Sequence, residues 1–514
     1  CLLSQDSEDG DGVQGMEPGL WLLYGNAPGL GKSMCEQFAI QGHSAKFVVC
    51  DENSMVRDVL TRQMDEVGEE LRGVIYLQAV NAAEGSIEGL RETSLWALHL
   101  MQAIADHKAH GSSVGNARLW IVTRSSQQVG AFPVLRPSGG SLWGLGRVFG
   151  NAEHALRWGG LIDLEETTSD VVDARRVVDE CLSGSTGEEV SWRAGERHIS
   201  RLVATDDFIH SLSEPVLRPD ATYLITGGLG GLGLTSATWL ACRGARHLLL
   251  LGRTVLPDRE KWQSPDLPNA QRRRVKAVLA LEAMGVSVQV EGIDISDHAA
   301  LVSLLERHRR EARPSIRGVI HSAGTTDDHL LEEIDDEQFY GVFGSKVIGA
   351  WNLHDALKNE SLDFFVAYSS ATSILPSSGQ GNYASANACL DALIAWRNGR
   401  GLPALAIGWG PWRDAGLVRN LDLSSFFARR GLLPLSNEQG MAALAELLKY
   451  PSAHVLVLGA RWQTFAQTSP MSRPAPFFRD LVEAEKNEAG QHEERLHDSL
   501  SLRQRLEAEP DVEA

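Results

Sequence analysis

The strand-like run Thr222-Tyr223-Leu224-Ile225 leads straight into Thr226-Gly227-Gly228-Leu229-Gly230-Gly231-Leu232-Gly233, five glycines in eight residues. Few folds accommodate this. Glycine permits the tight strand-to-helix reversal, and the helix that follows offers unpaired N–H groups and partial positive charge to a phosphate. After a strand and at the head of a helix, the segment predicts a dinucleotide site built from backbone. From Ala221 onward, TYLIT, RHLLLL, VSVQVE, RGVIHS, FFVAYS, LPALAIGW and HVLVLG read as strands. Helical periodicity falls between them near 231–243, 271–284, 297–311, 335–357, 381–398 and 437–449. Continuously apolar strands, each followed by a helix, predict an α/β fold with a doubly wound parallel sheet. Residues 254–270, with three prolines and several charges, read as a surface excursion.

The first half repeats this grammar: LWLLYG, a glycine turn, a helix to about 42, AKFVVCD, GVIYLQ, a helix over 87–108 and ARLWIVT. Gly25, Gly29 and Gly31 precede Gly227, Gly231 and Gly233 by 202 residues. After Gly150 the pattern departs, and GGLIDL, EVSWR and RHISRLV read as short closing strands. Two Rossmann-like halves are expected. They comprise an acidic linker over 1–17, a truncated structural subdomain without cofactor over 18–211, a linker over 212–220, a catalytic subdomain over 221–478, and a second acidic linker over 479–514.

Charge narrows the function. Lys plus Arg number 48 against 67 Asp plus Glu, a net charge of −19 and the wrong sign for nucleic acid or anionic lipid. Residues 1–17 hold five acids and no base, and 479–514 hold eleven acids against five bases, as solvated tethers do. The longest leucine run, Leu248–Leu251, is far short of the roughly 20 apolar residues of a membrane helix. Six cysteines, at 1, 35, 50, 181, 242 and 389, show no CxxC spacing, so a reduced, cytoplasmic setting is expected. No His/Cys/Asp cluster has metal-ligand spacing, and no metal is expected. The chain opens on Cys1 without a charged-then-apolar leader, as expected of a segment of a longer multidomain polypeptide.

Reducing a ketone with hydride needs a proton donor at the developing alkoxide, a second hydrogen bond to the carbonyl, and a cation beside the donor. Tyr383, Ser370 and Lys346 can supply these, the lysine by lowering the phenol from its usual value. Asn387, four residues after Tyr383 on the same helix face, can order a water or the lysine. Arg253 follows the second strand, where a site preferring NAD places a carboxylate; a cation suits a 2′-phosphate, so NADPH is favoured. Asp294, after the third strand, can accept from an adenine amino group or serve the N-cap region of a helix. In the first half, Ser126 of TRSSQ aligns with Ser370, and the same spacings give Gln102, Gly139 and Trp143 where lysine, tyrosine and asparagine are required. That half is read as a stabilising partner. His321 is read as a satisfied strand-end histidine.

These residues resemble the ketoreductase domains of modular polyketide synthases, within the short-chain dehydrogenase/reductase superfamily. The resemblance rests on TGGLGGLG, GVIHSAGTTDD (318–328), GSKVIGAWNLH (344–354), SSATSILPSSGQGNYASANACLDAL (369–393) and LAIGWGPW (405–412). In the first half, LWIVTR and LWGLGRVFGN look like the family's cofactor-free structural subdomain. The intervals Lys346 to Ser370, Ser370 to Tyr383 and Tyr383 to Asn387 match the family. Its polyketide branch places asparagine, not lysine, four residues after the tyrosine.

The resemblance implies NADPH held by the glycine turn with Arg253, Asp294, Ile295, Ser322, Ala323, Gly324, Tyr383 and Lys346. It implies a β-ketoacyl chain on the phosphopantetheine arm of an acyl carrier protein, with neighbouring synthase domains as further partners. One class of the family carries Leu-Asp-Asp where this chain has Thr326-Asp327-Asp328. A second carries Trp eight residues before the tyrosine, where this chain has Leu375. The first class is the closer match and implies a D-configured hydroxyl, with Gln380 and Trp409 beside the substrate. Leu417–Leu433 suits a lid, and 493–514 resembles a linker before a carrier domain. The rival readings are a reductively silent module that epimerises or scaffolds, and a free-standing alcohol dehydrogenase.

Overall fold

The computed structural model describes residues 17–67, 70–106, 117–184, 186–205, 217–414, 424–449, 454–468 and 476–487. The first of two seven-stranded sheets contains β1 (Leu20–Gly25), β2 (Ser44–Val49), β3 (Leu71–Tyr76), β4 (Arg118–Arg124), β5 (Trp158–Leu164), β6 (Glu188–Arg193) and β7 (Glu196–Ile199). Their order is β2-β1-β3-β4-β5-β6-β7, parallel except for the β6–β7 hairpin. The second contains β8 (Thr222–Thr226), β9 (His247–Gly252), β10 (Ser287–Gly292), β11 (Ile316–His321), β12 (Phe364–Ser370) and β13 (Leu405–Trp409). After the two-residue strand β14 (Leu432–Leu433) comes its last member, β15 (His454–Val457). Its order is β10-β9-β8-β11-β12-β13-β15, parallel throughout. β14 pairs instead with β16 (Gly459–Ala460).

Chain order reverses between β8 and β11, and doubly wound sheets bind ligands in the crevice at the carboxyl ends of the strands flanking such a reversal. The glycine turn leaves β8 there. Beyond β1 the first sheet has only β2 where the second has β9 and β10, which is the truncation expected. One expectation about this half is corrected: β5 and β6 are not closing strands but a parallel pair joined by the helix Asp170–Leu182, and only β7 closes by hairpin. The four valines of that helix favour strand locally, yet Ala174, Val177, Val178 and Cys181 fall on one buried face.

The halves share their interior. One apolar core joins Leu142, Trp143 and Leu145 to Phe339, Phe343, Val347 and Ala384. The helix Gly140–Val148 meets the helix Gly381–Gly399 backbone to backbone: a Cβ on Gly144 would lie 2.2 Å from the Ala384 carbonyl oxygen, so only glycine fits. Ser385 Oγ donates to the Ser141 carbonyl at 2.8 Å. Buried Arg147 pairs in bidentate fashion with Glu189 and donates to the Ser373 carbonyl at 2.6 Å.

Residues 479–487, expected to begin a tether, are helical, and Leu481 and Val482 pack with Leu202, Leu375 and Phe478. Residues 1–16, 212–216, 415–423 and 488–514 lie outside the described residues, and with them most of the expected linkers, the start of the Leu417–Leu433 segment and all of 493–514. Among the described residues no helix is long and apolar enough to cross a membrane.

Candidate active site

Ser370 ends β12, and Tyr383 is the third residue of the helix Gly381–Gly399. Lys346 sits in a π-helical turn, Gly344–Ile348, between the helices Asp336–Phe343 and Gly349–Leu357, and is 4% exposed. Turns of this kind break the regular helical spacing and are frequent at functional sites. Lys346 Nζ lies 5.3 Å from the Tyr383 ring centroid and donates to the Tyr368 carbonyl at 2.9 Å. Burial pushes the Tyr383 phenol up, hydrogen bonding with the Ser370 and Asn387 side chains opposes the rise, and Asp328 adds to it. Asn387 Nδ2 also donates to the Tyr383 carbonyl at 2.7 Å, while its buried Oδ1 has no hydrogen-bond partner among the described residues. The four residues expected from the sequence therefore converge.

One electrostatic expectation is corrected. The phenol does not lie below its usual range, because burial raises it more than the hydrogen bonds with Ser370 and Asn387 lower it. It is Lys346 that moves, lowered to about 8 by burial against the pull of Asp391. A phenol kept protonated at neutral pH is still the right species to donate a proton to an alkoxide.

The glycine turn makes a cradle that side chains would fill. Gly227 has φ +62°, and a Cβ there would press on the Ala323 backbone at 3.1 Å; one on Gly233 would lie 2.3 Å from the Gly227 carbonyl. Gly228 is buried against Leu250, Leu229 and Leu232 lean on the core, and Gly230 and Gly231 are exposed. The helix Gly231–Cys242 has no side-chain cap, so its first N–H groups are open to an anion. Arg253 is exposed at the end of β9. Burial pushes Asp294 up, but hydrogen bonds from Ser296 and the charge of Arg253 leave it below the usual carboxylate range. These residues fit a phosphorylated dinucleotide.

Other expected cofactor residues knit the site together. The Thr226 hydroxyl bonds to His321 Nδ1 at 2.9 Å and accepts from Ala323 N at 3.1 Å, while Ser322 Oγ donates to the Thr226 carbonyl at 2.6 Å. Ile295 is buried, its carbonyl held by Asn352 Nδ2 at 2.9 Å. Gly324 is exposed, and a Cβ there would meet Lys346 Cε at 3.1 Å. His321 is satisfied as read: its Nε2 lies 2.8 Å from the Lys346 carbonyl, and burial lowers it to about 4, so it is neutral.

The loop Thr326-Asp327-Asp328 lies against the segment before Tyr383. Asn382 Nδ2 donates to the Asp327 carbonyl at 2.7 Å, and Gln380 Nε2 to Asp328 Oδ2 at 3.1 Å. Leu375 and Trp409 do not join them. Leu375 packs with Leu202 and Phe478. Trp409, 4% exposed on a strand flanked by others, stands edge-on to Tyr368 and Trp412. In the first half, Ser126 Oγ fills the space beside Gly139 and Trp143 Nε1 donates to Thr123 Oγ1. An Asp170 carboxylate oxygen stands where a Cβ on Gly29 would be, against the first-half glycine turn. Gln102 instead reaches into the second half, as does Glu153, which no motif singled out. Among the described residues no three His, Cys, Asp or Glu side chains are grouped to hold a metal.

The family model described as "KR domain" matches residues 221–414. The chain is 37% identical over 348 residues to a component of the phenolphthiocerol/phthiocerol polyketide synthase of Mycobacterium tuberculosis, covering 66% of this chain and 18% of that protein. It thus spans less than a fifth of that relative's length. A solved A1-type ketoreductase superposes with a TM-score of 0.77 at 27% identity, over 95% of this chain and 98% of the other. A C2-type ketoreductase from a modular polyketide synthase gives 0.75 at 26% identity, over 91% and 98%.

Proposed function

This chain is a ketoreductase of the polyketide synthase KR family, and from that premise we propose that it uses NADPH to reduce a β-ketoacyl thioester, carried on an acyl carrier protein, to a D-configured β-hydroxyacyl thioester. The observation that supports this most is the meeting of Tyr383, Ser370, Lys346 and Asn387 beside the crevice entered by the glycine turn. The reduced nicotinamide, when bound, supplies hydride to the β-carbon. Ser370 and Tyr383 hold the ketone oxygen, and Tyr383 gives it a proton as negative charge develops. Lys346 balances the phenolate left behind. The amides at the head of the helix, from Gly231 onward, take the pyrophosphate, Arg253 the 2′-phosphate, and Asp294 the adenine edge. The D assignment rests on the Thr326–Asp328 loop and not on overall shape, since A1- and C2-type relatives superpose about equally well. Neighbouring synthase domains and a reducing, cytoplasmic setting belong to the same reading.

The test is NADPH oxidation with a β-keto N-acetylcysteamine thioester, followed by chiral analysis of the product. No NADPH consumption would favour the reductively silent module, against which the intact catalytic set speaks; an L-hydroxyl would overturn the stereochemical part alone. Ser370→Ala is expected to lower kcat about 100- to 1000-fold through loss of one oxyanion donor. Arg253→Ala is expected to raise the KM for NADPH about 10- to 100-fold, the worth of a charge-assisted hydrogen bond, while leaving that for NADH nearly unchanged. Steady-state kinetics with both cofactors reads this, and equal effects on the two would remove Arg253 from the 2′-phosphate.

A further inference from the structure

Glu153 belongs to the half that lacks a catalytic set, at the end of the π-helical turn Phe149–Glu153 that continues the helix Gly140–Val148. Its carboxylate crosses into the second half and accepts two backbone N–H groups, Leu331 at 2.9 Å on Oε2 and Gly379 at 2.8 Å on Oε1. These amides lie on separate segments. Leu331 follows the loop Thr326-Asp327-Asp328; Gly379, with φ +82°, precedes Gln380, Gly381, Asn382 and Tyr383. The two segments already touch through Gln380–Asp328 and Asn382–Asp327, and Asp328 acts electrostatically on Tyr383. One carboxylate therefore ties together both strips of chain beside the phenol. Gln102 reinforces the first strip, its Nε2 donating to the carbonyls of Leu331 at 2.8 Å and Ile334 at 2.9 Å.

Packing alone does not require an acid there. A carboxylate offers one oxygen to each of the two N–H groups, as here, whereas an amide in the same pose turns its NH2 donor toward one of them. We propose that Glu153 is a positioning residue for substrate recognition: it fixes the relative placement of the 326–331 and 376–382 segments, and with it which face of the β-ketone meets the hydride. This rests on the reductase reading above. It assigns the non-catalytic half a part in specificity in addition to support.

The test compares wild type, E153Q and E153A. E153Q keeps the size of the side chain and one acceptor, so it guards against misfolding of the alanine variant. Amide hydrogen exchange over 326–334 and 376–382 is expected to be about tenfold faster or more in E153A, from loss of two charge-assisted hydrogen bonds, and intermediate in E153Q. With a 2-methyl-3-oxoacyl N-acetylcysteamine thioester, KM is expected to rise about three- to tenfold and the diastereomer ratio of the product to fall severalfold. The NADPH dissociation constant should stay unchanged. A merely structural role would move the unfolding midpoint without moving the product ratio. Unchanged exchange, or an unchanged KM and product ratio in both variants, overturns the proposal. The exchange measurement needs no turnover, so absence of NADPH oxidation in wild type would sink the reductase reading while the tie itself is still judged.

Discussion

Tyr383→Phe is expected to lower kcat for ketone reduction about 10⁴-fold, the upper end of what a positioned general acid contributes, and to leave NADPH binding within about twofold. The size follows from the position of the hydroxyl. In the proposed reaction it is the acidic O–H that meets the ketone oxygen, and burial keeps it protonated at neutral pH. Ser370 remains to hold the oxygen, but a serine hydroxyl is too weak an acid to replace the phenol. The ring itself packs partly against the core shared by both halves, so phenylalanine keeps the fold. Fluorescence titration with NADPH and stopped-flow oxidation at 340 nm separate binding from chemistry. Retention of more than a hundredth of wild-type turnover would remove Tyr383 from its role.

The catalytic half was legible because its signals are local. All seven strands of the second sheet lie where the apolar runs predict them: the central strands are buried on both faces and read as continuous apolar runs, and the partly buried edge strand β10 reads from its Val-Ser-Val-Gln-Val alternation. The four catalytic candidates were legible because the chemistry of ketone reduction calls for their side chains and their intervals match those of the family the sequence resembles. The first half was less legible. Gly140–Val148 carries three glycines and looks like a loop, and it is helical because those glycines let it press on Ala384 and Ala392, 240 or more residues later. Glu153 and the contact of Gln102 with the second half were invisible for the same reason: their partners are backbone atoms of distant loops, and a backbone atom leaves no mark in the pattern of side chains. Trp409 misled because its place at the end of β13 says nothing about which face it takes; it takes the aromatic side with Tyr368.

Lys346→Met is expected to lower kcat at least about 1000-fold and yet make the free protein more stable at pH 7. The two effects have one origin. Burial lowers the lysine from 10.5 to about 8, so between those values the unfolded chain binds a proton that the folded chain does not. Stability from this group therefore rises with pH across that window, and below about pH 8 the full penalty of a buried ammonium is present, on the order of 3 kcal/mol. Methionine fills similar space without the charge. Its cost is the hydrogen bond to the Tyr368 carbonyl, about 1 kcal/mol; the attraction of Asp391 is already contained in the lowered value of the lysine. The net gain at pH 7 should be about 1–2 kcal/mol, visible as a higher urea midpoint, and should shrink as pH rises from 8 toward 10.5. Catalysis loses what stability gains: without the ammonium nothing balances the Tyr383 phenolate, and the proton no longer leaves readily. A variant that kept a tenth of its turnover, or that was less stable than wild type at pH 7 with no convergence at high pH, would show that Lys346 is held there for packing and not for charge.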